Sequence, residues 1–416
     1  MTKVMSGLVI LIVLSAVPAF AQRADLQPVL REPTVQAAVD AARAREPETL
    51  ERQIRFCEVE APPFSESARA EVLQREFRSA GLSNVRIDRA GNVLGDRVGA
   101  SARPRLVLAA HLDTVFPEGT PVKVTREPGV LRGPGIGDNC RGLAVLVSVA
   151  RLLESGRVRT PGSITFVANV GEEGLGDLRG VRALFTDTLR GEIDRFVGID
   201  GAGLHVTNVG VGSYRYRVTF IGPGGHSFGA FGLPNPAHAL GRAVEAISDF
   251  TVPAEPRTTF NVGRIGGGTS VNAIPAEAWM EVDLRSSDPR ALTALDEQFH
   301  RAVDAAVAAE HARWGRSGVI TVQKERVGQR PAGMTPPDSP IVRAAREAAQ
   351  ALGLSVPLGE GSTDANLPMS LGIPAITIGG GGRGEGAHAL TESFYPADSW
   401  HGTAHALLVA VALARP

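Results

Sequence analysis

The chain has 416 residues, a net charge of −1 and two cysteines, and aromatic residues make up 5% of it. The balanced charge gives no basic excess that would indicate nucleic-acid binding, and two cysteines are too few for a disulfide scaffold. Domains usually hold about 50–250 residues, so the length predicts two domains. We treat Cys57 and Cys140 as free thiols, although the sequence leaves a bond between them open.

The N-terminus has the pattern of a secretory signal peptide. Lys3 is followed by the apolar run GLVILIVLSAV and by the small-residue site AFA, residues 19–21. The apolar run is short for a membrane span, which needs about 20 residues, and an uncleaved anchor is the alternative. We expect residues 1–21 to be removed and the protein to be secreted or periplasmic, with no stable membrane insertion after cleavage.

Buried strands and helices alternate over residues 22–211, which is typical of a mostly parallel sheet covered by helices on both faces. A hairpin pattern, VRIDRAGNVLGDRV, precedes the first buried strand. The predicted helices are 35–56, 65–80, 142–156 and about 177–189, and the predicted buried strands are 105–111, 163–170 and 194–200.

The pattern changes over residues 212–330, where apolar and polar residues alternate as in antiparallel strands with one solvated face. The strands YRYRVTFIG and TTFNVGRIGG are examples, and two long helical patterns lie between such strands. Residues 331–416 return to the first pattern, with a buried strand at 374–380 and a closing helix. We therefore predict an α/β catalytic domain, residues 22–211 and 331–416, interrupted by an inserted α+β domain.

Acidic and imidazole side chains follow the predicted buried strands. In open α/β sheets, ligands bind beyond the carboxyl ends of the strands, so residues that are distant in sequence can meet there. The residues concerned are His111 and Asp113 in HLDTV, Asp138 in GPGIGDNCRG, Glu172 and Glu173 in GEEG, Asp200 in GIDG, and His388 after a glycine loop.

Two imidazoles and several carboxylates form a ligand set that suits zinc, with cobalt or manganese as substitutes. One metal ion does not need so many ligands, whereas two ions about 3.5–4 Å apart that share a carboxylate do. Asp138 is the natural bridge because it is the lone acid on a glycine-flanked loop, and His111 and His388 then supply one imidazole to each ion. The sequence therefore predicts a site for two divalent metal ions.

Glu172 and Glu173 are adjacent, so their side chains point in different directions and cannot easily bind one ion together. We assign Glu173 as a ligand and Glu172 as the general base, which takes a proton from metal-bound water and passes it to the leaving amine. Asp113 is predicted to accept a hydrogen bond from the second ring nitrogen of His111 and to fix its tautomer. A glutamate pair after a strand is more often a solvated helix start, so the hypothesis depends on several sites coinciding.

The motifs HLDTVF, GPGIGDNCRG, GEEGLGD, GIDG and GAHALTE resemble, in this order, those of the co-catalytic di-zinc exopeptidases, the family of peptidase T, glutamate carboxypeptidase, acetylornithine deacetylase and aminoacylase. The resemblance covers nearly all of the chain after residue 21. It implies a zinc-exopeptidase-like catalytic domain with an inserted lid domain that often dimerises. It also implies the same roles for the site residues, namely ligands His111, Asp138, Glu173, Asp200 and His388, the base Glu172, and its partner acid Asp113.

Two segments of the inserted domain also resemble the family's lid. GPGGHSFGAFG resembles the motif whose histidine reaches toward the substrate carbonyl, often from the partner subunit, which implies that His226 stabilises the developing oxyanion. GGTSVNAIPAEAWMEVDLR resembles the segment that holds a substrate carboxylate, which implies Asn272 and Arg285. A surface-loop histidine and ordinary polar residues at strand ends are the alternatives.

His401 and His405 lie four residues apart on the last predicted helix and imitate a metal-binding pair. That helix is mostly apolar and lacks a nearby pair of acids, so we expect both histidines to serve packing. The remaining histidines outside the motifs are interpreted as structural in the same way.

The predicted function is an exported metal-dependent exopeptidase that hydrolyses short peptides as di- or tripeptidases do. An aspartate at position 200 favours that side of the family. The enzymatic alternative is an N-acyl amino acid deacylase or a glutamate-releasing carboxypeptidase. The alternative from another class is a binding protein on the same fold that has lost its metals, although no ligand or base is missing here. A homodimer could form through the inserted domain.

Overall fold

The computed structural model describes residues 26–316 and 319–416. The predicted signal peptide, residues 1–21, lies outside the described residues. Over the two described ranges, none of the helices has the length and apolar character that crossing a bilayer requires.

Strands and helices are numbered here in chain order. The strands are β1 (Ser83–Ile87), β2 (Val93–Arg97), β3 (Arg105–His111), β4 (Thr125–Glu127), β5 (Val130–Arg132), β6 (Ser163–Asn169), β7 (Arg195–Ile199), β8 (Val206–Gly210), β9 (Gly212–Ile221), β10 (Gly225–His226), β11 (Thr258–Gly267), β12 (Ala273–Ile274), β13 (Glu277–Ser286), β14 (Thr321–Arg330), β15 (Gly333–Met334), β16 (Leu358–Gly361), β17 (Ala375–Ile378), β18 (Arg383–Glu385) and β19 (Ser393–Tyr395). The helices are α1 (Gln27–Leu30), α2 (Pro33–Ala44), α3 (Glu46–Cys57), α4 (Ser67–Ser79), α5 (Cys140–Ser155), α6 (Arg179–Ala183), α7 (Pro236–Ser248), α8 (Pro289–Trp314), α9 (Pro340–Ala351), α10 (Asn366–Ser370) and α11 (Trp400–Leu413).

The largest sheet has the strand order β1-β2-β6-β3-β7-β17-β8-β15, with β16 paired to β8. Its central strands β6, β3, β7 and β17 are parallel to one another, and antiparallel pairs lie toward both edges. The predicted α/β class is therefore confirmed. Parallel strands have their carboxyl ends at the same edge of a sheet, so the residues that follow β3, β6 and β7 become neighbours.

Strand β3 shows that both faces of this sheet are covered. Leu106 and Leu108 belong to one apolar cluster, which includes buried residues of α2, α5, α9 and α11. Val107 and Ala109 belong to a second cluster, which includes buried residues of α6 and α10. A strand buried on both faces must be apolar throughout, and this explains the unbroken run RLVLAAH.

Strands β9, β11, β13 and β14 form a separate antiparallel sheet in the order β11-β13-β9-β14. Helices α7 and α8 pack on one face of it, where Val218 and Phe220 are fully buried. The chain passes between the two sheets at both ends of this segment. The side-chain amide of Asn366 donates to the carbonyl groups of Val211 and Pro331, at 2.8 and 3.0 Å, and thereby ties both crossings to α10, which packs on the larger sheet.

A small antiparallel sheet of β4, β5, β18 and β19 brings two loops together. Strand β5 pairs with β19, and Arg132 donates a side-chain hydrogen bond to Ser393 Oγ at 2.6 Å. The loop after β5 carries Asp138, and the loop between β18 and β19 carries His388. The pairing therefore places these two residues side by side although they are 250 positions apart.

Two predicted helices differ from the structure. The segment 35–56 is interrupted at Arg45, where α2 ends and α3 begins. Pro47 accounts for the break, since it has no N–H to bond the carbonyl of Arg43 and its ring would clash with that carbonyl in a continuous helix. The segment 177–189 is the short helix α6 followed by a π-helical turn, Leu184–Thr188.

Candidate metal centre

The carboxyl ends of β3, β6 and β7 carry three of the predicted site segments. His111 is the last residue of β3, and it is paired in register with Asn169, the last residue of β6. Glu172 and Glu173 follow β6 by a few residues, and Asp200 directly follows β7. Because these strands are parallel neighbours, their ends form one edge of the sheet, as the sequence predicted.

Five side chains form two groups that share one aspartate. His111 Nε2 lies 3.1 Å from Asp138 Oδ1 and 3.5 Å from Asp200 Oδ1. His388 Nε2 lies 3.2 Å from Asp138 Oδ2 and 3.0 Å from Glu173 Oε1. Within each group the candidate ligand atoms lie within 4.8 Å of one another. Asp138 therefore offers a different carboxylate oxygen to each group, and each group contains one imidazole.

The atoms at the shared position fit a cation. His111 Nε2 and Asp138 Oδ1 are buried, and neither has a hydrogen-bond partner among the described residues. The other ring nitrogen, Nδ1, is 3.0 Å from the main-chain oxygen of Asp113. A carbonyl only accepts, so Nδ1 carries the proton and Nε2 presents a lone pair. Nitrogen and carboxylate oxygen ligands of this kind suit zinc and related divalent ions.

The charges of the cluster lead to the same conclusion. Hydrogen bonds to Asp138 and Glu173 raise the pKa of His388 to about 10. Burial lowers the pKa of His111, but the neighbouring carboxylates of Asp113, Asp138 and Asp200 outweigh it and raise the pKa well above its usual value. The cluster thus stabilises positive charge strongly, and divalent cations supply that charge without protonating the ligands.

The carboxylate of Asp113 bonds the main chain of both glutamates, and the imidazole of His111 bonds the main chain of Asp113. Its fully buried carboxylate accepts the main-chain N–H of Glu172 at 3.0 Å and that of Glu173 at 2.7 Å. The predicted hydrogen bond from His111 to this carboxylate needs correction, because Nδ1 is 3.7 Å from Oδ1 and its nearer partner is the main-chain oxygen of Asp113. The aspartate still fixes the tautomer of His111, but through its backbone.

Glu172 lies beside the two groups, with a carboxylate oxygen within 4.8 Å of ligand atoms of His111 and Glu173. The residue is 3% exposed, and Oε1 accepts a hydrogen bond from Nη1 of Arg330 at 2.7 Å. Burial raises the pKa of Glu172 well above its usual value, although the charge of Arg330 opposes this. A buried carboxylate with a raised pKa next to a cation site has the properties of a general base.

Glu392 is a site residue that the sequence analysis did not identify. Its buried carboxylate accepts the main-chain N–H groups of Gly135, Gly137 and Asp138 at 2.8 to 2.9 Å, so it fixes the loop that carries the shared aspartate. Burial raises the pKa of Glu392 to about 7, against these three hydrogen bonds. The residue stands four positions after His388 in GAHALTE, but nothing in that spacing indicates its partner loop.

A second unidentified acid, Asp364, lies behind the end of β6. Asp364 Oδ2 accepts a hydrogen bond from the side-chain amide of Asn169 at 2.7 Å, and both residues are buried. Burial raises the pKa of Asp364 to about 7. This contact supports the strand end at which His111 and Asn169 are paired.

The three residues predicted in the inserted domain do not contact the cluster. His226 is exposed, and its Nδ1 faces the main-chain N–H groups of Phe228 and Gly229 at 3.3 Å. Nδ1 therefore accepts, and Nε2 carries the proton and can donate. His226 ends β10, which pairs with β12, and Asn272 directly precedes β12, where its main-chain oxygen accepts the N–H of Ser227 at 2.9 Å. Arg285 is elsewhere, on β13, where its Nε donates to Asp283 at 2.6 Å.

The residues that were excluded from the site lie outside it. His405 is fully buried in α11 and donates from Nε2 to the carbonyl of Ala345 at 2.8 Å. His401 stacks against Trp400, with ring centroids 3.9 Å apart. Cys57 and Cys140 are buried free thiols, and Cys57 Sγ donates to the carbonyl of Pro134 at 3.2 Å.

The larger sheet has a parallel centre, and at its edge one aspartate joins two groups of nitrogen and oxygen ligands, with a buried glutamate beside them. These features define a dinuclear metal-dependent hydrolase. The chain belongs to peptidase family M20/M25/M40, whose family model matches residues 107–413. Members of this family hydrolyse peptide or amide bonds, and we assign that reaction class to this chain.

The chain is also similar in sequence to two curated proteins and in fold to a solved structure. The chain is 24% identical over 343 residues to the uncharacterized protein YqjE of Bacillus subtilis, covering 79% of this chain and 89% of that protein. It is 28% identical over 238 residues to carboxypeptidase G2 of a Pseudomonas species, covering 53% of this chain and about half, 54%, of that protein. The fold resembles that of a Staphylococcus aureus tripeptidase with a TM-score of 0.71 and 23% identity, covering 89% of this chain and 98% of that one.

Proposed function

We propose that this chain is an exported exopeptidase that cleaves di- or tripeptides with two divalent metal ions, most favourably zinc. The observation that carries the proposal is the shared aspartate, since Asp138 Oδ1 faces His111 and Asp138 Oδ2 faces His388. A carboxylate that joins two ligand groups is the arrangement that two-metal hydrolysis needs.

Each group of residues has a distinct task. Cations held by His111, Asp138, Asp200, Glu173 and His388 would lower the pKa of the attacking water and polarise the scissile carbonyl. Asp113 keeps the ligand His111 in the tautomer that presents Nε2 and anchors the main chain of both glutamates. The ligand set is satisfied without Glu172, so this residue remains free for proton transfer.

Glu172 takes the proton of the attacking water and returns it to the leaving amine nitrogen. The carbon–nitrogen bond breaks in that second step, and the products are an amine and a carboxylate. His226 donates from Nε2 to the developing oxyanion, since its Nδ1 already accepts two main-chain N–H groups. His226 makes no contact with the cluster within the described residues, so this role requires the inserted domain to close or a partner subunit to supply the histidine.

A substrate with a free carboxylate is supported by a cavity of about 200 Å³ that is lined by Arg257, Thr259 and Arg285 from the second sheet and by Glu360 and Ser362 from the first. Arg257 pairs with Glu360 at 3.5 Å and Arg285 with Asp283 at 2.6 Å, and a substrate carboxylate that replaces these partners would meet two guanidinium groups. A short peptide and an N-acyl amino acid both carry a free carboxylate. The cavity therefore also supports the second candidate function, an N-acyl amino acid deacylase or a glutamate-releasing carboxypeptidase.

Export and dimerisation are further parts of the proposal. Export is supported by the N-terminal pattern of Lys3, an apolar run and the AFA site. A homodimer through the inserted domain is supported by exposed apolar side chains near His226, since Phe228, Phe231 and Val271 are 88%, 78% and 103% exposed. Apolar residues that are exposed in one small area commonly mark a protein interface.

The test is a substrate panel on the mature protein with added zinc, cobalt or manganese. The panel contains dipeptides, tripeptides and N-acetyl amino acids, and Glu172→Ala serves as the comparison. Cleavage of the peptides by the parent and a large loss in the variant support the proposal, whereas preference for N-acetyl amino acids supports the second candidate. Equal rates for parent and variant would exclude Glu172 as the base.

A further inference from the structure

Arg330 connects the inserted domain to the proposed base. It is the last residue of β14, the strand from which the chain returns to the larger sheet. It is 3% exposed, although arginine is rarely buried unless its charge is paired. Its partner is Glu172, which is equally buried.

The guanidinium holds Glu172 at two points. Nη1 donates to the carboxylate atom Oε1 at 2.7 Å, and Nη2 donates to the main-chain oxygen of the same residue. Nη1 also reaches the main-chain oxygen and Oγ of Ser362, at 3.2 and 3.3 Å. A planar guanidinium that bonds both the backbone and the side chain of one residue leaves that side chain little rotational freedom.

The contact leaves the other carboxylate oxygen of Glu172 available. Oε2 accepts no hydrogen bond from the residues that the structure describes, so it can receive a proton while Oε1 stays fixed. The carboxylate oxygen of a general base must be placed accurately, because a base acts only within hydrogen-bond distance of the proton that it takes. A residue that fixes Oε1 therefore determines where Oε2 lies.

The position of Arg330 also couples the base to the second sheet. The preceding residue, Gln329, donates its main-chain N–H to Asp177 Oδ1 at 2.8 Å, and the following residue, Pro331, is held by Asn366 at 3.0 Å. Arg330 thus lies where the chain crosses between the two sheets, and its neighbours in sequence are bonded to the loop before α6 and to the start of α10.

We infer that Arg330 is a positioning residue for the general base Glu172, and that it places this carboxylate from the junction of the two sheets. The inference rests on the proposed function, since it takes Glu172 as the base. It assigns Arg330 a role in the reaction step, and none in holding the metal ions or in binding substrate.

The experiment compares Arg330→Ala, Arg330→Lys and Arg330→Ala with added guanidinium ion, using the best short peptide of the panel. We expect Arg330→Ala to lower kcat by about ten- to a hundredfold, up to the lower end of the roughly 10²–10⁴-fold that general acid–base catalysis contributes, with little change in KM. Added guanidinium should restore part of kcat, and lysine should restore less than full activity because it lacks the planar fork. Metal content and Tm are measured on each protein, and metal content should match that of the parent.

Arg217→Ala is the matched control, because Arg217 lies in the second sheet and pairs with Glu281 at 2.9 Å, apart from the cluster. Its kcat should equal that of the parent. An unchanged kcat in Arg330→Ala, or a raised KM with kcat retained, would overturn the inference, and the second result would make Arg330 a substrate ligand. If Arg330→Ala does not fold, Arg330→Lys tests the inference in its place: a lowered kcat with unchanged KM supports it, and an unchanged kcat overturns it.

Glu172→Gln separates this inference from the proposed function. If Glu172→Gln is as active as the parent, the base assignment itself is wrong. If Glu172→Gln is inactive and Arg330→Ala is fully active, only the positioning role is wrong. Because both residues act on one step, the double variant should be no slower than Glu172→Gln.

Discussion

The buried atoms Asp138 Oδ1 and His111 Nε2 lie 3.1 Å apart, and neither forms a hydrogen bond with the described residues. Two buried polar atoms without partners are costly unless a further group satisfies both. A cation between them does so. Because the other oxygen of Asp138 faces His388, loss of this one carboxylate should disturb both ligand groups.

Asp138→Ala is therefore expected to lose both metal ions, whereas His388→Ala should lose one. The measurement is the number of metal ions per chain, determined by atomic emission after dialysis. This number should be about two in the parent, near zero in Asp138→Ala and about one in His388→Ala. His401→Ala is the control, since His401 stacks on Trp400 away from the site, and it should retain both ions. Two ions in Asp138→Ala would contradict the shared-ligand geometry.

Metal removal should lower the stability of the whole chain. The cluster brings Asp138, Glu173 and Asp200 together with two imidazoles, and cations that bind only the folded state stabilise it by about 2.7 kcal/mol at a hundredfold excess over Kd. Protein from which metal has been removed with a chelator should show a rise in Tm when zinc, cobalt or manganese is added. Asp138→Ala should show no such rise, and an equal rise in that variant would locate the binding elsewhere.

Glu392→Gln tests the support of the Asp138 loop. The parent carboxylate accepts three main-chain N–H groups, whereas an amide nitrogen in place of either oxygen turns a donor toward them. Residues that orient metal ligands typically change metal affinity by about 10–100-fold, and we expect a loss of that size in a chelator competition. Glu385→Gln is the matched control because Glu385 is exposed and pairs with Arg383 and Tyr395. If both variants bind metal as the parent does, the loop does not depend on Glu392.

The sequence was sufficient for the ligand groups because the relevant signal is local. Runs such as RLVLAAH and SITFVANV are apolar throughout, which fixes buried parallel strands and their carboxyl ends, and parallel neighbours share an edge of the sheet. His111 and the Glu172–Glu173 pair follow from that reasoning alone. Asp138 and His388 were assigned from their glycine-rich loops and from ligand chemistry, which the family resemblance then supported, because their proximity depends on the pairing of β5 with β19, which no local pattern indicates.

Arg330 and Glu392 could not be predicted in this way. Arginine and glutamate are common on surfaces, and neither residue belongs to a periodic pattern. Their roles depend on partners 158 and 254 to 257 positions away, which only the folded chain brings near. His111 likewise bonds to the main-chain oxygen of Asp113 and not to its carboxylate. The reason is that the main-chain N–H groups of Glu172 and Glu173 already occupy that carboxylate.

Arg285→Ala and Arg257→Ala should weaken the binding of substrates that have a free carboxylate. Both guanidinium groups line the same cavity of about 200 Å³, and a hydrogen bond to a charged group contributes about 1.5–3 kcal/mol. We expect KM to rise by about tenfold or more, and the same peptides with an amidated C-terminus should show no further loss. Arg290→Ala is the control, since the Arg290 side chain is 95% exposed at the start of α8. A loss that is equal for acid and amide peptides would exclude carboxylate recognition.

His405 should make the folded state less stable in acid. Burial lowers the pKa of this histidine, and the nearby His205 lowers it further, while its hydrogen bond to Ala345 opposes them. An unfolded histidine has a pKa of about 6.5, so below that pH the unfolded state takes up the proton more readily. The contribution of His405 is therefore complete above pH 6.5 and is lost as the pH falls.

The measurement is the free energy of unfolding by urea at pH 7.5 and 5.5, for the parent and for His405→Gln. Glutamine can still donate to the carbonyl of Ala345 but does not titrate. The stability of the variant relative to the parent should therefore rise at the lower pH, by up to about 1.4 kcal/mol per pH unit below 6.5. His111 and His388 have raised pKa values and act in the opposite direction, but they are the same in both proteins and cancel in the difference. A difference that does not change between the two pH values would mean that His405 is protonated as easily in the folded chain as in the unfolded one.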